Sequence, residues 1–174
     1  MKKKFMLLTF SLITLVLVSW ISTTIVRSGN FKKRDHTSIG AEYFISRDAL
    51  YFGYDLSWEG IGRPTLKQID FIKKDGTPIT PEDDFLIQPF IEISSDGNTI
   101  GVLDEKTVMN EGFINNLLPF EDFQVDGKFR LVLRVEFHGN SIENDISELE
   151  ITYKKFGITQ SKDISFDEGI FTDE

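Results

Sequence analysis

The architecture this sequence predicts is an all-β, two-sheet antiparallel sandwich behind one N-terminal transmembrane helix, and three observations lead to it. Residues 5–26 contain no charged side chain. From Glu42 onward, apolar residues recur at every second position in short runs separated by turn residues. No run outside the N-terminal segment keeps a convincing helical period.

The N-terminal segment opens with Lys2, Lys3 and Lys4 and then runs uncharged from Phe5 to Val26. As a helix rising about 1.5 Å per residue, it spans roughly 33 Å, close to the roughly 30 Å of a bilayer's hydrocarbon. Its polar residues are hydroxyls, which can bond back to helical carbonyls and are tolerable in lipid. A soluble core helix would carry a polar face, and this one has no charge at any angle. A cleavable leader has a shorter apolar stretch, about 7 to 15 residues, with small residues at the cut. The best candidate site, Val26-Arg27-Ser28 before Gly29, puts an arginine in the recognition triplet, so retention is expected over cleavage near Ser28.

On this reading residues 1–4 are a short cytoplasmic tail, 5–26 a signal-anchor helix in contact with membrane lipid, 27–40 a basic linker and 41–174 an extracytoplasmic domain. Basic residues flank both ends of the helix, so the positive-inside rule nearly cancels. The very short lysine-rich tail and Trp20, suited to the outer interface, favour the C-terminal part outside. Lys32, Lys33 and Arg34 read as a solvated stop beside the helix, with lipid headgroups or anionic wall polymer as the alternative contact.

The clearest strand is "KFRLVLRVEF", where Phe129, Leu131, Leu133, Val135 and Phe137 alternate with mostly charged neighbours. "ALYFGYDLSW" sets Phe52, Tyr54, Leu56 and Trp58 on one parity. "TLKQIDFI" offers Ile69 and Phe71 before the Lys74-Asp75-Gly76 turn, and "FLIQPFIEI" groups Phe85, Ile87, Ile91 and Ile93. Pro89 argues for an edge or a bulge there, because proline cannot donate to a ladder. Asp96-Gly97-Asn98 turns the chain into "TIGVLD", and "SELEITYKKFGITQSKDISF" reads as a hairpin bending at Gly157. "EGFINNLLPFEDF" has room for one short helical turn before Pro119. About seven to eight strands, each with one apolar face, must close over a common core. All of the phenylalanines but Phe5 and Phe10 lie beyond Val26 and supply its bulk. An immunoglobulin-like β-sandwich is the fold this pattern predicts.

Charge and composition then exclude functions. The formal net charge is −9, and four of the cations belong to the ends of the N-terminal helix, so the remainder is more acidic still. Such a surface repels phosphate backbones and makes nucleic acid a poor partner. The absence of cysteine excludes disulfides, thiolate zinc sites and thiol catalysis. His36 and His138 stand alone, with no G-x-S-x-G, H-E-x-x-H or glycine-rich phosphate loop. Neither catalytic residues, nor a cofactor, nor a metal is expected. The acidic stretches "PEDD" and "ENDISELE" lack the ligand spacing of a calcium loop. Tyr51, Tyr54 and Trp58, with Phe52, are the one candidate binding cluster. Facing outward they would stack on sugar rings, whereas a single ring-rich face is usually the core face.

The lysine-rich start, the Phe, Ile and Lys usage and the missing cysteines resemble the composition of small surface proteins of low-GC Gram-positive bacteria. That resemblance carries over no functional residue. The expected role is a membrane-anchored, non-enzymatic binding module of the cell envelope, with another envelope protein or a wall polymer as partner. The alternatives are an envelope hydrolase using surface carboxylates and an accessory subunit docked on a polytopic protein through its helix.

Overall fold

A computed structural model describes residues 2–35, 37–40, 49–93, 99–139, 145–166 and 169–172. The turn expected at Asp96-Gly97-Asn98 lies outside them. The first element is helix α1, Lys2–Arg27, which is long and apolar enough to cross a bilayer and is not buried against the rest of the protein. Thr14 donates to the Phe10 carbonyl at 3.0 Å, and Thr23 and Thr24 both donate to the Trp20 carbonyl at 2.8 and 2.9 Å. These are the back-bonds that make hydroxyls compatible with lipid.

The rest is mostly β. Strand β1 is Asn30–Lys33, β2 Ile39–Gly40, β3 Leu50–Glu59, β4 Thr65–Lys73 and β5 Phe85–Glu92. After β6, Val102–Asp104, come a short helix α2, Glu105–Asn110, a 3-10 turn at Phe113–Asn116, and β7, Leu117–Pro119. Then follow β8, Lys128–Phe137, β9, Ile146–Lys155, β10, Ile158–Ser165, and β11, Phe171–Thr172. One antiparallel sheet has the order β1-β3-β8-β5-β7 with β6 also on β3; the other has the order β10-β9-β4, and β2 and β11 form a short parallel pair.

The 27–40 segment, expected as a linker, differs from that expectation: it holds β1 and β2. Four residues with only Phe31 apolar give no visible alternation, yet Phe31 is 2% exposed and pairs opposite Trp58. The tertiary contact makes the strand. β1 takes Leu56–Glu59 of β3's outer edge and β6 takes Leu50–Phe52, so two short strands share one edge.

The two sheets meet over one core. Phe52, Tyr54, Leu56 and Trp58 of β3 and Leu131, Leu133 and Val135 of β8 face Leu66 and Phe71 of β4 and Leu149, Ile151 and Tyr153 of β9. Leu66 and Phe71 have opposite parity because a register shift between Leu66 and Gln68 inserts a residue. At Pro89, β5 pairs with β8 on one side, while β7 begins only at Phe90. The strand is therefore an edge there among the described residues, which suits a residue with no N–H.

The outer face of the larger sheet is not left to solvent. Ile100, Val108, Leu103, Phe113 and Ile114 cover Tyr51 and Val132 in a second, smaller cluster. Gly53 permits this close approach, since a Cβ there would lie 1.9 Å from the Ile100 carbonyl oxygen. Asp104 caps α2 by accepting from Thr107 N at 2.7 Å.

Candidate functional site

Where α1 joins the sandwich, only Ser28 and Gly29 separate helix from strand. Ser28 N still bonds the Thr24 carbonyl at 2.9 Å, so the helix runs to the junction. Gly29 has φ +111, outside the range L side chains favour, and a Cβ on it would sit 2.2 Å from Trp58 Cζ2. The Trp58 ring is thus packed against the junction backbone. It also meets Phe31 at 4.9 Å and Tyr153 at 5.4 Å and donates its Nε1–H to the Gly62 carbonyl at 3.0 Å.

Lys155 closes the other side. It continues the core-facing row Leu149, Ile151, Tyr153 at the end of β9 and is 1% exposed. Its ammonium donates to the Ser28 carbonyl and lies 4.9 Å from the Trp58 ring centroid. Burial pushes its pKa below the ordinary lysine value. Next to it Gln160 Nε2 donates to the Val26 carbonyl at 3.1 Å. Two carbonyls left open at the helix C-terminus thereby find donors on the β9–β10 hairpin. A cleft of about 680 Å³ remains between the last turns of α1 and the start of β10.

The sequence-predicted candidates fall elsewhere or inside. Tyr51 is 1% exposed, Tyr54 0% and Trp58 7%. Stacking on a sugar needs an open ring face, which none of the three presents. Tyr51 lies on the outer face of the sheet, as its parity requires, but beneath the 100–117 covering. Burial raises the pKa of Tyr54, whose hydroxyl donates to the Thr37 carbonyl at 3.0 Å. The Lys32 to Arg34 cluster is engaged by the domain itself: Lys32 pairs with Glu59 at 2.7 Å, Lys33 lies 4.1 Å over the Phe166 ring and Arg34 Nε donates to Ser57 Oγ at 3.0 Å. His138 is exposed, 3.5 Å from Glu136, and His36 lies outside the described residues.

Several carboxylates have cationic or backbone partners. Glu92 is buried, accepts from Ile100 N and pairs with Arg130, which also binds Asp55. Arg134 pairs with Glu105 and Glu136, and Lys73 with Asp83 at 2.7 Å. Asp145, 3% exposed, accepts from Ile146 N, Ile170 N and Phe171 N and so ties the C-terminal segment down. Burial raises its pKa although those three donors oppose the shift. Among the described residues no group of three or more His, Asp or Glu is placed to hold a metal. The junction was missed by sequence reasoning, and its signal was Lys155, a lysine extending an apolar row. The chain matches no known protein family, no curated protein and no solved structure.

Proposed function

We propose that the chain is a single-pass membrane protein whose immunoglobulin-like sandwich stands outside the cytoplasmic membrane as a binding module for a membrane-proximal envelope protein. The observation that carries the reading is the two-residue, pinned junction between α1 and β1. Flexible linkers reach about 5–6 Å × √n for n residues, and this junction is neither long nor flexible. Its reach favours a partner that itself stands at the bilayer over a remote wall polymer.

Three further points support the parts of this reading. The strand orders β1-β3-β8-β5 and β4-β9-β10 correspond to the A-B-E-D and C-F-G sheets of a constant-type immunoglobulin domain. Helical bonds running through Ser28 leave the candidate cleavage site in helical rather than extended backbone, which favours an uncut anchor. The pairing of Glu92, Glu105, Glu136 and Asp83 with cations favours binding over carboxylate hydrolysis.

The test is in-cell photocrosslinking from Met109, which is exposed on α2. A discrete adduct with a membrane protein is the expected result. Absence of any protein adduct from Met109, Ile93 and Leu86, exposed positions around the domain, would refute the envelope-protein partner.

A further inference from the structure

We propose that the end of the domain beside α1 is a second membrane contact: the cleft between α1 and β10 takes the phosphate headgroup of an anionic phospholipid, while the Phe156 to Ile158 hairpin tip enters the bilayer interface. The inference rests on the reading of α1 as a transmembrane anchor and names what that anchor's domain touches.

The placement comes from the junction. Gln160 and Lys155 bond the carbonyls of Val26 and Ser28, so the hairpin tip between them lies alongside the last turn of α1, the level at which the uncharged segment ends. Phe156 is 55% exposed and Ile158 50%; Ile61, in the β3–β4 loop, is 57% exposed. That loop lies against the tip, with Gly62 facing the Phe156 ring. Three large apolar groups thus gather beside a transmembrane helix, where lipid is the solvent that covers them.

Phe156 carries a second signal. Its φ is +51 and that of Gly157 +82, a tight two-residue turn in which asparagine or glycine is the favoured first residue. A bulky aromatic held in the left-handed region is strained. Its ring touches the Gly62 loop and the Lys155 ammonium on one side and is otherwise open, and lipid contact accounts for an aromatic at that position.

The charge pattern points the same way. Arg27 and Lys162 line the cleft together with the hydroxyls of Ser22, Thr23, Thr159 and Ser161. Neither cation has a carboxylate partner among the described residues, although the chain as a whole carries −9. Two cations without a carboxylate partner among the described residues, with the Ser22 and Thr159 hydroxyls beside them, form a donor site for a phosphate anion.

The lack of native cysteine allows single-site labelling of the full chain in vesicles. The variants Leu17→Cys, Ile158→Cys and Lys74→Cys each receive an environment-sensitive fluorophore, and lipids with a nitroxide high on the acyl chain serve as quencher. Quenching at 17 and 158 but not at 74, with the signal at 158 stronger in phosphatidylglycerol-containing than in neutral vesicles, is the expected result. Arg27→Gln and Lys162→Gln should each lower the docked population by about fivefold. Quenching at 17 without quenching at 158 overturns the second contact and leaves the anchor standing. No quenching at 17 overturns the anchor and this inference with it. Equal quenching at 158 in neutral and anionic vesicles overturns the headgroup site.

Discussion

Replacing Gly29 by alanine tests whether the helix is fixed to the sandwich. Two costs follow from the geometry. The backbone at φ +111 is sparsely populated for L residues and costs about 1–3 kcal/mol. The new Cβ would lie 2.2 and 2.3 Å from Trp58 Cζ2 and Cη2, inside contact distance with a ring that is 7% exposed and wedged against Phe31 and Tyr153. Overpacking of this kind costs about 1–3 kcal/mol, so the total is about 2–6 kcal/mol. Gly127→Ala is the control: its φ is +81, but nothing lies within 4 Å of the added Cβ, leaving the backbone term alone. Urea unfolding of the full chain in detergent micelles, with Trp20→Phe in every variant so that fluorescence reports the buried Trp58, reads both variants as shifts in midpoint at constant slope. If Gly29→Ala costs no more than Gly127→Ala, Trp58 does not pack on the junction and the pinned-helix argument fails.

Other perturbations give independent checks. Phe31→Ala should cost about 3–5 kcal/mol, because Phe31 is the core residue of β1; a loss under about 1 kcal/mol in the same denaturation assay would return 30–33 to the status of a linker. Tyr153 is buried with no hydrogen-bond partner for its hydroxyl among the described residues, so Tyr153→Phe should raise stability by about 1 kcal/mol. A comparable loss would reveal a partner. The Lys73 ammonium and the Thr80 donors hold the Asp83 carboxyl down to about 2, below the unfolded value near 3.9. Its contribution is therefore present above about pH 4 and disappears as pH falls through about 2. Asp83→Asn should flatten the thermal midpoint against pH over that window, and parallel curves for the two proteins would contradict the assignment.

The long strands were legible because each buries one face only. β8 begins and ends where its alternation does, and the β9–β10 hairpin turns at Gly157 as its sequence requires. Elements whose stability comes from tertiary contact were not legible. β1 has one apolar residue and exists because Phe31 reaches the Trp58 and Tyr153 rings. α2 is six residues long, too short for a period, and only the Asp104 cap in "DEKT" announces it. Burial of Tyr51 likewise depends on a covering segment whose position no local pattern encodes. Tyr51, Tyr54 and Trp58 are buried for the reason that made them conspicuous: clustered rings on alternating positions are what a core needs. The junction contacts join residues 127 and 134 positions apart, Ser28 with Lys155 and Val26 with Gln160, a proximity visible only once the sheets are assembled.

The central claim is that α1 is an uncut anchor holding the sandwich at the outer face of the membrane. Cells carrying a C-terminal epitope, fractionated and then treated with protease as intact protoplasts, test it most directly. The account predicts that the epitope stays with the membrane fraction at full chain length and is lost on protease treatment. Epitope released into the medium would mean cleavage near Ser28, and epitope in the membrane but protected from protease would place the domain in the cytoplasm; either result contradicts the account.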